Sequence, residues 1–413
     1  MLARALDILH RRDSGRILAS LIRRLGSFEV AEEALQDAYA KALQRWPLDG
    51  VPTNPQGWLA TVAYRRGLDL IRRERRTQGN SEASLAALVA PAWEPPEEEA
   101  HCVADERLSL IFTCCHPALA QSAQVALALR TLCGLATQEI ARAFVEPETT
   151  TAQKLVRAKR KIAQSGIPYE VPRENELMER LASVLAVIYF VFNEGYAASA
   201  GDELVRPDLC NEAVRLGWVL RELMPSQPEV AGLLALMLFL ESRRDTRTNA
   251  GGLLVPLEEQ HRADWNRALI TEATTLLDGA MSQRRPGPYQ IQAAIAALHA
   301  NAVEARATDW TQISALYGAL LRYLPTPVVE LNAAIALAMA YSIEDGLVWI
   351  DRIEAGGAID HYHLLHAAKA DLLRRAGRFN EASASYARAI ALATNKTERR
   401  YLRLRLASVS LRP

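Results

Sequence analysis

The stretch Thr137–Ile162, TQEIARAFVEPETTTAQKLVRAKRKI, decides how the rest of the chain is read. Ile140, Ala141 and Phe144 fall at helical spacing, and Leu155, Val156 and Ala158 do so again, so two short helices each carry an apolar face. Val-Glu-Pro-Glu lies between them, and Pro147 starts a second helix but cannot continue the first. Such a pair predicts a helix-turn-helix, whose second helix enters the DNA major groove by its N-terminal end. Thr149, Thr150 and Gln153 stand at that end with short side chains suited to base edges. Lys154, Arg157, Lys159, Arg160 and Lys161 follow, a cluster suited to phosphates. A plain helical hairpin with a solvated basic face has the same pattern, so the remainder of the chain must choose between them.

Globally nothing marks a nucleic-acid-binding protein, because 48 Lys and Arg balance 48 Asp and Glu. Locally the charge is blocked. Arg65, Arg66, Arg72, Arg73, Arg75 and Arg76 crowd one segment, and Glu94, Glu97, Glu98, Glu99, Asp105 and Glu106 separate them from the second basic cluster. Blocks of alternating sign imply separate tasks. Few aromatics, frequent Ala and Leu and little β-branched alternation predict an all-α protein. No apolar signal core opens the chain, and the richest apolar run, Leu233 to Leu240, is too short to cross a membrane. A cytoplasmic protein is expected. The five cysteines, Cys102, Cys114, Cys115, Cys133 and Cys210, are odd in number and lack CxxC spacing. They predict buried small hydrophobes, with no metal and no cofactor.

Taken in order, the chain begins with an apolar-basic helix from Leu2 to Leu25, and Ser27 caps the next. Val30, Ala34, Ala38 and Ala42 share one face of that second helix, while Glu32, Glu33, Gln36 and Asp37 share another. The acidic face is either solvated surface or a dock for a basic partner. Pro47 to Pro55 reads as a loop. From Gln56 to Arg76 a helix turns Leu59, Val62, Ala63 and Leu70 toward a core and its arginines elsewhere, with Trp58 at its head. A basic helix headed by an aromatic suits single-stranded nucleic acid, the arginines following the backbone and the ring supporting an unstacked base. Trp58 in the core and arginines on the surface is the plainer alternative.

These segments give a first domain over 1–76, an acidic linker over 77–104, a helix-turn-helix domain over 105–166, a helical extension over 170–287 and repeats over 288–413. In the last part DWTQISALYGALL from Asp309, SIEDGLVWIDRIE from Ser342 and RFNEASASYARAI from Arg378 superpose, with Trp310, Ile343 and Phe379 in register. The spacing is close to the ~34 residues of a tetratricopeptide repeat. Ala382, Tyr386 and Ala389 fill that motif's small-aromatic-small positions, and Pro325 stands where it expects proline. A short solenoid is expected. Asn193, Glu194, His299 and His361 are spread widely, without nucleophile–base or ligand spacing, so no catalytic residues are assigned. Asn193 and Glu194, with Arg284 and Tyr289, either bound a ligand or partner pocket or satisfy one another as buried polar groups.

An acidic-faced helix, a Trp-headed basic helix, an acidic linker and a basic helix-turn-helix, in that order, resemble the σ2–linker–σ4 layout of extracytoplasmic-function (group IV, sigma-70 family) sigma factors of bacterial RNA polymerase. NPQGWLATVAYRRGLDLIRRERR, from Asn54, is similar to the family's promoter-melting and −10-reading segment. EIARAFVEPETTTAQKLVRAKRKI, from Glu139, is similar to its −35 reader. FNEGYAAS (Phe192 to Ser199), RRPGPYQIQAAIAALHA (Arg284 to Ala300) and the repeats resemble the subgroup with a long tetratricopeptide-like C-terminal extension.

The resemblance implies core RNA polymerase as partner, through its β′ clamp helices and β flap, and promoter DNA. Glu32, Glu33, Gln36 and Asp37 match the clamp-binding helix. Asn54, Trp58, Arg65, Arg66, Arg72 and Arg73 match the −10 segment, and Thr149, Thr150, Gln153, Lys154, Arg157 and Lys161 match the −35 reader. The acidic linker corresponds to a strand threaded through the polymerase's RNA path. The extension is expected to regulate, with an unidentified partner or ligand. A DNA-binding regulator with a repeat-type sensor is the alternative.

Overall fold

The protein is described by a computed structural model covering residues 2–77, 109–132, 134–144, 146–165, 174–198 and 204–410. Most of the expected linker, 78–104, together with Cys102, Cys133 and Val145, lies outside these described residues. The fold is all-α, as its composition predicts, with no strand among the described residues. Two compact units divide the chain, Met1–Phe190 and Val191–Pro413.

In the first unit α1 (Leu2–Leu25), α2 (Phe28–Asp49) and α3 (Pro55–Thr77) pack pairwise into a bundle. Ser27 caps α2, its hydroxyl accepting the Val30 N–H at 3.3 Å. Ala31, Ala34, Ala38 and Ala42 are fully buried, which lets the helices approach closely. The sequence places a break at Pro47, but α2 runs on to Asp49. Pro47 lies in the last turn, where its missing N–H removes a single bond. The helix ends at Gly50, with φ 84° and its N–H on the Trp46 carbonyl at 3.1 Å. In α3, Leu59 and Ala63 are buried as expected, whereas Val62 and Leu70 are half-buried and Tyr64 joins the core.

A second cluster follows, α4 (Gln121–Leu132), α5 (Thr137–Ala143) and α6 (Glu148–Ser165). These are the helix-turn-helix and its support. The buried stripe of α6 is Thr151, Leu155, Ala158 and Ile162. Val156, assigned to that face from sequence, is 57% exposed, because the stripe advances by three and four residues and Val156 falls beside it. Helix α7 (Glu174–Tyr196) reaches back into this unit: Arg180 donates to the Phe112 carbonyl at 3.1 Å, and Phe190 stacks on Phe144 at 5.3 Å.

The second unit is built on α9 (Pro228–Glu241), between α8 (Pro207–Leu223), α10 (Arg267–Ser282) and α11 (Pro288–Asn301). Leu233 to Phe239 are all buried, so the apolar run is the central helix of this unit. Among the described residues no helix is long and apolar enough to cross a membrane. RRPGPYQ is a capping device. Glu229 accepts the backbone N–H groups of Tyr289 at 2.9 Å and Gln290 at 3.1 Å, placing a carboxylate on the positive end of α11. A Cβ on Gly287 would lie 2.3 Å from the Glu229 carboxyl carbon. Arg284 is exposed, at φ 52°, and Glu194 is buried and faces Arg206 at 3.6 Å. Those motif residues thus serve helix ends and internal pairing.

Six helices complete the unit, α12 (Trp310–Leu320), α13 (Pro327–Ala340), α14 (Ile343–Ala355), α15 (His363–Arg375), α16 (Phe379–Leu392) and α17 (Lys396–Ser410), each packed on the next, with α13–α14 and α15–α16 the closest hairpins. Trp310, Ile343 and Phe379, aligned from sequence, each open a helix, and Ile343 and Phe379 open the second helix of those two hairpins. Ala382, Tyr386 and Ala389 are buried.

Gly232 tests this packing, since an added Cβ would meet the Gln290 backbone nitrogen at 2.8 Å. Gly232→Ala should therefore separate α9 from α11 and cost about 1–3 kcal/mol, read as a lower thermal unfolding midpoint. An unchanged midpoint would show that the two helices are not so closely apposed.

Candidate nucleic-acid interface

Helix α6 presents two faces. Its buried stripe packs toward α4 and α5, which leaves Thr149, Thr150, Gln153, Arg157, Arg160 and Lys161 exposed. Uncharged groups lead and cations follow, the order needed to read base edges from the helix start and hold phosphates behind them. Lys154 stands apart from this set. Its ammonium binds both oxygens of Glu146 at 2.8 and 2.9 Å and lies 5.0 Å over the Phe144 ring. Glu146 also accepts the buried Thr151 hydroxyl at 2.5 Å. One carboxylate in the turn thus ties the start of α6 to the end of α5. Sequence reading missed this role because Glu146 lies outside the helical register of both partners.

On α3, Arg65 and Arg73 are exposed and Arg72 is half-buried, 3.7 Å from Asp69. Arg66 turns toward α2 and pairs with Asp37 at 2.5 Å. Trp58 is half-buried, edge-on to the buried Trp46 at 5.4 Å, so it is anchored in the bundle with part of its ring still outside. Asn54 caps the helix, its Oδ1 accepting the Gly57 N–H at 2.8 Å. The exposed edge of Trp58 therefore lies beside a fixed turn.

On α2, Glu33 and Gln36 are exposed, while Asp37 answers Arg66 and Glu32 answers Lys159 of α6 at 2.6 and 2.7 Å. The last contact joins the acidic face to the basic helix across 127 residues of sequence. A second approach supports it, for a Cβ on Gly15 of α1 would lie 2.2 Å from the Leu132 carbonyl of α4. Most of the cations remain at the surface despite this packing.

Cys114, Cys115 and Cys210 are free and buried, as small hydrophobes are. Burial pushes the Cys114 and Cys210 thiols up to about 12, so both are protonated at neutral pH. Glu354, Asp360 and His366 gather ligand-type atoms within 4.8 Å. Lys369 already bonds Glu354 at 2.6 Å and the Asp360 carbonyl engages His366 at 2.7 Å, so the group is an ion-pair and hydrogen-bond network.

Residues 9–77, which span most of α1 and all of α2 and α3, match the family model Sigma-70 region 2. Residues 180–281 match a family of unknown function (DUF6596). An uncharacterized protein of Rhizobium meliloti is 44% identical over 399 residues, covering 96% of this chain and 94% of that protein. No solved structure matches the chain. The chain belongs to one family with the Rhizobium protein and, by its region 2, is a sigma-70 family factor, a transcription-initiation protein and not an enzyme.

Proposed function

We propose that this sigma-70 factor is of the extracytoplasmic-function type, acting in the cytoplasm, with α6 as its −35 reader, α3 as its −10 reader and its second unit as a tetratricopeptide-like regulatory extension. The observation that carries the reading is the exposed row Thr149, Thr150, Gln153, Arg157, Arg160 and Lys161 on a helix whose opposite face is buried. Glu32, Glu33, Gln36 and Asp37 dock the β′ clamp helices of core polymerase, the α4–α6 cluster meets the β flap, and Arg65, Arg66, Arg72 and Arg73 lie along −10 DNA. Asn54 and the outer edge of Trp58 receive an unstacked base. Unpairing that base costs a few kcal/mol, which stacking and hydrogen bonds recover. Lys154 enters this reading as the brace of the recognition helix, leaving phosphate contact to its exposed neighbours.

Two of the docking carboxylates are engaged internally, Glu32 by Lys159 and Asp37 by Arg66. Each pair is partly exposed and contributes about 1 kcal/mol or less, so a large polymerase interface displaces it readily. The same exchange frees Lys159 and Arg66 for DNA. Engagement of polymerase and release of the DNA-binding cations are then one event.

Run-off transcription with purified core polymerase tests the whole reading: a sigma factor restores initiation on its own, whereas a conventional regulator binds promoter DNA without core and restores nothing. Arg157→Ala should flatten the dependence of log affinity on log salt by about 0.9 for −35 duplex, while Lys154→Ala lowers stability and leaves that slope in place. Equal slopes in all three proteins would remove Arg157 from the DNA face. Lys159→Ala should tighten binding to core polymerase, about fivefold at most if the full 1 kcal/mol is recovered; weaker binding would show that Glu32 is not a docking residue.

A further inference from the structure

Three helix ends in the second unit carry arginines. Arg247 donates to the carbonyl of Tyr196, the last residue of α7. Arg262 donates to the carbonyls of His299 and Ala302 at the end of α11, and to the Thr308 hydroxyl at 3.1 Å. Arg244 pairs with Glu241, the last residue of α9. Cations at helix C-termini meet the negative end of the dipole, so each of these three has a structural task.

Arg243 has none. Its guanidinium makes no hydrogen bond or ion pair among the described residues, and its recorded contact is with the Tyr196 ring at 5.6 Å, on which Arg247 also lies at 3.7 Å. It is nevertheless the neighbour common to Arg247, Arg262 and His299, each of which its charge pushes toward the deprotonated form. Burial and these arginines hold the His299 imidazole down to about 4, so it is neutral at physiological pH. Two further groups are buried without a partner among the described residues, the Tyr196 hydroxyl and His299 Nδ1. A half-buried guanidinium among like charges, without an acceptor, is costly unless an anion completes it.

We propose that Arg243 and Arg247, gathered at the Tyr196 ring, seat a small oxyanion, the phosphate or carboxylate group of a soluble ligand. A guanidinium offers paired N–H groups to two oxygens, which suits either group. Four of the residues concerned, Tyr196, Arg243, Arg247 and Arg262, lie within the segment matched to the family of unknown function, so the site gives that region a ligand-binding task. The inference does not depend on how the first unit reads DNA.

The test is thermal unfolding and calorimetric titration of the full chain with sodium phosphate and, separately, sodium acetate, against sodium chloride at matched ionic strength. Saturable binding of one oxyanion is expected, with a rise in the unfolding midpoint of roughly 5 °C at a hundredfold excess over the dissociation constant. The acid that binds identifies the group. Arg243→Gln should abolish binding without lowering the ligand-free midpoint, since the loss of a like charge beside Arg247 and Arg262 offsets the lost contact with the Tyr196 ring. Arg243→Lys, which keeps the charge and loses the fork, should weaken binding about tenfold or more. No saturable binding of either anion, equal effects of chloride, or binding that survives Arg243→Gln would each overturn the site. Transcription assays are a separate readout, so failure here leaves the DNA-reading proposal where it stands.

Discussion

Burial of Thr151, Leu155, Ala158 and Ile162 decides which side of α6 meets water, and much of the chemistry of the first unit follows from that constraint. Fully burying an aliphatic side chain of this size is worth about 1.5–3 kcal/mol, far more than a surface ion pair contributes. The helix therefore cannot rotate to hide its cations. Thr151 is the polar member of the stripe, and it is tolerated there because Glu146 accepts its hydroxyl. The same carboxylate holds Lys154, so the turn is tied to the first two turns of α6.

The ion pairs of the first unit divide by what surrounds them. Lys154–Glu146 is local, bidentate and closes a turn. Lys159–Glu32 and Arg66–Asp37 instead join different helices through partly exposed side chains. A carboxylate held by an internal cation keeps the acidic face from recruiting unrelated basic surfaces, at little energetic cost. Such pairs exchange partners easily because water already reaches both ends. The arrangement resembles a set of charges parked on one another until a partner with more area competes for them.

Much of this was legible in sequence. Helical periodicity located α2, α3, α5 and α6, and Ser27 announced its cap. Alignment of Trp310, Ile343 and Phe379 placed the starts of three helices, because each follows a turn and opens an apolar stripe. What periodicity could not see were contacts set by tertiary approach. Pro47 ended α2 on paper, yet one missing bond near a terminus is affordable and the chain kept its helix as far as Gly50. Val156 looked apolar and therefore buried, although its angle on the helix places it outside the stripe. Glu146 read only as part of the connection between two helices, because its partners Thr151 and Lys154 are brought to it by the fold of the turn. Arg66 and Lys159 read as free cations because their carboxylates lie on another helix.

The second unit shows the same logic at helix ends. Glu229 holds the positive end of α11, and Gly287 is needed there because any side chain would strike the carboxylate. Arg247 and Arg262 hold the negative ends of α7 and α11, while Glu194, read from sequence as part of a candidate pocket, faces Arg206. That assignment makes the remaining charge informative. A buried-side cation that answers a carbonyl explains itself, whereas Arg243 raises the positive potential felt by three neighbours and answers nothing among the described residues. Helix dipoles at the ends of α7 and α11 offset part of that potential, but they are already met by direct hydrogen bonds and fall off within a turn. The charge that Arg243 adds beside Arg247 is therefore left unanswered, which is the condition an oxyanion site requires.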